Sequence, residues 1–279
     1  DNLNKEKLYS PLMLLKKGTG PTSLFCVHPG GGSASVYFEL AERMPKEISF
    51  WGLQARGLEA GQLPHQSVDE MVVDYIKAIK TVQAVGPYQL LGWSFGGLIA
   101  HRLATELEAS GDTVSLVVLF DSLLNVSAQS GSAQLISADI GHSAFLNHWI
   151  EDAIVAGDAR PEQLVDDEIS KLELIKSVLV RKELLTNDVS LDTVDRIMQQ
   201  FRLNIGRAQQ LKPTSCRAEI LLFTAQRDRP IHVLDALNWK PHTAGAFSSV
   251  STPFMHAEMV GAEASAYIAP LLLPHLSQS

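Results

Sequence analysis

Short continuous apolar runs alternate with longer segments of helical period through the first 121 residues. Leu24–Val27, Phe50–Leu53, Tyr88–Trp93 and Leu116–Phe120 are too short to be helices and show no helical repeat, so they read as buried strands. Between them, Val36–Met44, Ser67–Val85 and Phe95 to about Ala109 repeat apolar residues at helical spacing. The second is the clearest. Met71, Val72, Tyr75, Ile76, Ile79 and Val82 share one face, and Ser67 with Glu70 has capping-box spacing. The third stops near Gly111. This alternation predicts an α/β fold, with a mostly parallel central sheet and helices on both faces.

After Asp121 the alternation ends. Residues 122–213 hold no convincing strand, and three helices fit there: Ser143–Val155, Asp167–Leu185 with the stripe Leu172, Ile175, Val178 and Leu179, and Leu191–Leu211 introduced by Ser190. Strands resume at Glu219–Thr224 and Phe247–Val250, and Ala264–Leu273 closes the chain as a helix ending near Pro274. The strands on either side belong to one sheet. Segment 122–213 is therefore expected as a helical lid inserted between two strands, over a core formed by residues 21–121 and 214–279. Residues 1–20 precede the first strand-like run, and the chain starts at Asp1 rather than Met, which points to a piece of a longer protein.

Composition narrows the function classes. The chain has 279 residues, 46% of them hydrophobic, which is enough to bury a sizeable core. With 23 basic against 31 acidic residues the net charge is −8, so the basic excess that phosphate-backbone binding needs is lacking, and nucleic acid is not an expected partner. No apolar run approaches the ~20 residues of a membrane span, and the polar start is not signal-like. A soluble protein of the cytoplasm, without a membrane partner, is expected. Cys26 and Cys216 show neither CxxC nor metal-ligand spacing, and both are expected as buried thiols in core strands.

One motif carries chemistry. Gly92-Trp93-Ser94-Phe95-Gly96 is a GxSxG set where an apolar strand turns into an apolar-striped helix, the context of a nucleophile elbow. So sharp a turn crowds its flanks, which explains the two glycines, and it sets Ser94 at a helix N-terminus that favours developing negative charge. Nine histidines compete to be its base. His256 lies in a loop between the last short strand and the closing helix, where the hydrolase chain order of serine, acid, histidine puts it. His65, His101, His142, His148, His232, His242 and His275 lack such a context and read as structural. His28 ends a strand in His28-Pro29-Gly30-Gly31-Gly32, a loop whose small residues can bring a backbone N–H to an oxyanion above Ser94. For the acid, Asp121 and Asp228 each follow a strand, and spacing does not choose between them. Asp166, Asp167 and Glu168 read as the solvated first turn of a helix.

Leu24-Phe25-Cys26-Val27-His28-Pro29-Gly30-Gly31, the lead-in Gly86-Pro87-Tyr88, Gly92-Trp93-Ser94-Phe95-Gly96-Gly97 and Phe120-Asp121-Ser122 follow one another in that order. In this the chain resembles the terminal thioesterase domains of nonribosomal peptide synthetases, and polyketide and fatty-acid synthase thioesterases are also similar. The resemblance is strong from Pro11 to Leu124, faint through the lid, and returns at Leu221–Ala225 and His256–Met259. It implies an α/β-hydrolase fold with Ser94 as nucleophile, Asp121 as acid and His256 as base. It implies an oxyanion hole from the Phe95 and Gly30 N–H groups, and neither metal nor bound cofactor. The substrate would arrive as a peptidyl or acyl thioester on the phosphopantetheine of an adjacent carrier domain, for which residues 1–20 would be the linker. Release would follow by hydrolysis or macrocyclisation. Three other readings are a free-standing editing thioesterase, a catalytically silent carrier-docking domain, and a soluble lipase or esterase.

Overall fold

The computed structural model describes residues 9–124, 168–182, 184–227 and 237–276. Seven strands form one sheet: β1 Leu12–Lys16, β2 Ser23–Val27, β3 Ser49–Leu53, β4 Tyr88–Trp93, β5 Val114–Phe120, β6 Glu219–Ala225 and β7 Phe247–Thr252. Their order is β1-β3-β2-β4-β5-β6-β7, and every neighbouring pair is parallel except β1 with β3. Six of these strands match the apolar runs of the sequence. The seventh, β1, falls inside the segment 1–20 that the resemblance assigns to a linker. At residues 12–16 that expectation fails, because Leu12–Lys16 completes the sheet edge and pairs with β3, with Leu12 opposite Leu53.

The helices are α1 Phe38–Arg43, α2 Val68–Val82, α3 Phe95–Ala109, α4 Glu168–Arg181, α5 Leu191–Gln210 and α6 Ala262–Leu272. The expected helix at Ser143–Val155 lies outside the described residues. Strand periodicity sorts the core into two layers. Phe25, Val27, Leu90, Val117, Leu119 and Leu222 point to the face covered by α2 and α3. Their alternates, Leu24, Cys26, Leu91, Val118, Phe120 and Leu221, point to the face covered by α1 and α6. Both thiols are buried, Cys26 within β2 and Cys216 in an isolated bridge to Thr243 just before β6. Between β5 and β6, α4 and α5 pack on each other through Leu174, Ile175, Val178, Val194 and Ile197.

Local signals set the helix ends. Ser67 accepts the Glu70 N–H at 3.1 Å, as its spacing predicts. The return half of the capping box is absent, because the Glu70 carboxylate turns to the Gln66 N–H and pairs with Arg56. Gly111, at φ +89°, closes α3. Among the described residues no helix is long and apolar enough to cross a membrane.

Two features yield predictions. A Cβ at Gly92 would lie 2.1 Å from the Gly96 carbonyl carbon, backbone against backbone, so Gly92→Ala should cost about 3 kcal/mol in urea unfolding. His28 and His101 are buried, and desolvation holds each at a pKa of about 4. The unfolded chain protonates both near pH 6.5, so between there and pH 4 it binds more protons than the folded one, and stability falls as pH falls. At pH 5 each should take about 2 kcal/mol from the stability at pH 7 in the same urea series.

Candidate active site

Ser94 stands between β4 and α3 with φ 58° and ψ −125°, a backbone conformation ordinarily left to glycine. The strained turn is held on three sides. The Ser94 N–H donates to Phe120 O at 2.9 Å, the Gly97 N–H to Ser94 O at 3.1 Å, and the Trp93 N–H to the Tyr37 hydroxyl at 2.8 Å. Tyr37 donates in turn to Val27 O at 2.6 Å, tying the end of β2 to the end of β4. The sequence reading did not single out Tyr37. As one more buried aromatic of a short helical stretch it carries no signal of this bridging role.

Asp121 is the next residue after β5 and has no exposed side-chain surface. Its φ of +45° turns the chain back over the sheet edge. Its N–H donates to Phe223 O at 2.8 Å, and its Oδ1 accepts the Ala225 N–H at 2.9 Å, so the carboxylate is fixed by the end of β6. Oδ2 lies 2.7 Å from Nδ1 of His256. That histidine opens a short turn, His256–Glu258, after β7. Glu258 pins the turn by accepting the Met255 N–H at 2.9 Å and pairing with Arg227. The imidazole is half exposed and lies against the Trp93 ring, with centroids 5.4 Å apart. Trp93 directly precedes Ser94, so the histidine sits beside the elbow. Its Nε2 has no hydrogen-bond partner among the described residues.

The structure thus brings Asp121 and His256 together across 135 residues of chain, next to the Ser94 turn. Asp228, the other strand-end carboxylate, lies outside the described residues, as do His142, His148, His232, Asp166 and Asp167. The remaining histidines bond elsewhere. His65 Nε2 is 3.1 Å from Asp74, His101 Nε2 is 2.9 Å from His242 O, His242 Nδ1 is 3.3 Å from Thr214 O, and His275 Nδ1 is 2.6 Å from Glu219. The His28 ring is buried and turned to Pro29 and Tyr75. Phe95 begins α3, and Gly30 lies buried in the loop after β2. Neither N–H has an acceptor among the described residues, which leaves both available to a developing oxyanion. A buried carboxylate, an imidazole bonded to it and a serine hydroxyl raised at a helix N-terminus are the parts of nucleophilic acyl transfer.

Comparison with known proteins agrees. A sequence model of the thioesterase domain matches residues 22–271. The chain is 32% identical over 278 residues to malpibaldin synthetase of Mortierella alpina, covering 99% of this chain and 4% of that protein. It is 27% identical over 280 residues to a dimodular nonribosomal peptide synthase of Bacillus subtilis (strain 168), covering 96% of this chain and 11% of that one. The chain therefore spans only a small part of these relatives. Among solved structures, the wild-type Vlm2 thioesterase domain superposes with a TM-score of 0.72 at 22% identity, over 96% of this chain and 98% of that one. A four-domain nonribosomal peptide synthetase bound to AMP and glycine gives 0.76 at 24% identity, over 96% and 20%. These two likenesses establish a shared fold. With the match running through both halves of the sheet and every element of the site, the chain belongs to the thioesterase domain family.

Proposed function

We propose that this thioesterase takes a peptidyl or acyl chain from the phosphopantetheine thioester of a carrier domain onto Ser94, and releases it by hydrolysis or macrocyclisation. The observation that carries the reading is the 2.7 Å contact between His256 Nδ1 and the buried Asp121 carboxylate, beside the Ser94 elbow. With Nδ1–H held by Asp121, the lone pair sits on Nε2, where it can accept the Ser94 proton. Oγ attacks the thioester carbonyl, and the negative charge that forms on its oxygen is met by the Phe95 and Gly30 N–H groups. Collapse breaks the carbon–sulfur bond, His256 returns the proton to the departing thiol, and an acyl-serine remains. His256 then deprotonates the second nucleophile, which attacks the acyl carbonyl; collapse breaks the ester bond to Ser94 Oγ, and His256 returns the proton to that oxygen. Water yields a free acid, and an amine or hydroxyl of the bound chain yields a macrocycle.

Residues 122–213 serve as the lid in this reading, the donor is an adjacent carrier domain, for which the synthetase relatives are the support, and the reaction is placed in the cytoplasm. The domain itself needs no cofactor, because the phosphopantetheine arrives with the substrate.

Intact mass spectrometry with a panel of acyl and peptidyl N-acetylcysteamine thioesters tests the proposal. A Ser94-dependent adduct with long peptidyl chains, resolving to acid or macrocycle, is expected. Ser94→Ala should retain the fold and form no adduct; an adduct on that variant would place the nucleophile elsewhere. Turnover confined to short acyl groups would indicate an editing enzyme, and no adduct with any thioester a docking domain. Asp121→Asn should lower kcat by about 10⁴-fold, since it no longer holds the productive imidazole tautomer.

A further inference from the structure

Two adjacent peptide planes of the loop after β2 are each held by a buried side chain, one from the end of β2 and one from α5. His28 has no exposed surface, and its Nδ1 lies 2.6 Å from the Pro29 carbonyl oxygen. A carbonyl only accepts, so Nδ1 carries the proton. Burial keeps the ring neutral at pH 7, and Nε2 accepts the buried Tyr75 hydroxyl of α2 at 2.7 Å. Geometry thereby dictates the tautomer. The Pro29–Gly30 peptide is planar, with its carbonyl and N–H pointing opposite ways. Holding the Pro29 oxygen therefore sets the direction of the Gly30 N–H. The Gly32 N–H donates to the same oxygen at 3.0 Å, so both of its lone pairs are engaged.

The next plane is held by α5. Asn204, also without exposed surface, donates from Nδ2 to Gly30 O at 2.9 Å. Arg207 donates to Asn204 Oδ1 at 2.6 Å, which fixes which way the amide faces. The same helix leaves the loop little room. A Cβ at Gly30 would lie 2.9 Å from the Phe201 ring, and one at Gly31 3.1 Å from Ile197.

We propose that His28 and Asn204 are positioning residues of the oxyanion loop: His28 aims the Gly30 N–H at the oxyanion through the Pro29 carbonyl of the same peptide plane, and Asn204 anchors the adjoining Gly30–Gly31 plane through the Gly30 carbonyl, so that Gly30 is held on both sides of its Cα. The proposal rests on the reading of Ser94 as nucleophile and Gly30 as oxyanion donor. Neither side chain touches the reacting atoms. Because Asn204 belongs to α5, a shift of that helix would turn the oxyanion loop with it.

The test is stopped-flow acylation by p-nitrophenyl acetate, whose small acyl group reports Ser94 acylation apart from long-chain binding. His28→Leu and Asn204→Leu should each lower the acylation rate constant about 10- to 100-fold with KM little changed, a misaimed donor costing less than a deleted one. His28→Asn places an amide N–H near the position of Nδ1 and should restore most of the rate, although it loses Tyr75. A merely structural role predicts that His28→Asn and His28→Leu fall together, in step with their loss of Tm. That result, or an undiminished burst in His28→Leu and Asn204→Leu, would overturn the proposal. If His28→Leu fails to fold, Asn204→Leu and His28→Asn decide on the same criteria. An adduct persisting in Ser94→Ala would instead strike the reading of Ser94 on which the clamp depends.

Discussion

The first turn of α3 rests against three strand ends at distances that admit no side chain. A Cβ at Gly92 would meet the Gly96 carbonyl at 2.1 Å, one at Gly96 would meet Val27 O at 2.4 Å, and one at Gly97 would meet Ser122 Oγ at 1.9 Å. β4, β2 and the residues after β5 are gathered at a single point by these contacts. Ser94 and the Phe95 N–H belong to that turn, Gly30 lies three residues beyond the end of β2, and Asp121 precedes Ser122. A bulkier residue at any of the three glycines would push apart the Ser94 turn, the loop after β2 and the Asp121 turn that these contacts hold together.

Strain is concentrated in the same place. Among the described residues, Ser94 and Asp121 are the non-glycine positions with positive φ. Each such residue costs about 1–3 kcal/mol, which persists only where the surroundings over-determine it. Here the sheet does so. Ser94 is tied to Phe120, and Asp121 is tied to Phe223 through its own N–H and to Ala225 through its carboxylate. The central parallel strands, buried on both faces, supply the rigidity that holds these two residues in place.

Helix α5 shows a different use of polar residues. Arg196, Gln200, Asn204 and Arg207 recur at intervals of three or four and line one side of the helix, a pattern that ordinarily faces water. Their partners are instead backbone carbonyls of the core. Arg196 donates to Leu58 O, Gln200 to Arg56 O, Asn204 to Gly30 O and Arg207 to His65 O. The helix is thus hydrogen-bonded to two separate loops, the one after β2 and the one between β3 and α2.

Most elements were legible in the chain because their causes are local. Two-residue alternation divides the sheet between its two cores, helical stripes locate α2 and α4, and Ser67, Ser190 and Gly111 mark helix ends. The elbow was legible for the same reason, since GxSxG describes the crowding of one strand-to-helix turn. β1 was not: four apolar residues followed by Lys16 and Lys17 become a strand only through pairing with β3, some forty residues on. Nor could spacing alone choose the acid, because every parallel strand delivers its C-terminal residue to the same edge. The meeting of His256 with Asp121 and the docking of Asn204 on Gly30, 174 residues apart, depend on packing between distant segments. Periodicity and turn chemistry act over a few residues, so the sequence by itself determined most of the elements and the Ser94 elbow. Contacts made across the sheet edge act over the whole chain, and only the tertiary structure decided which groups meet there.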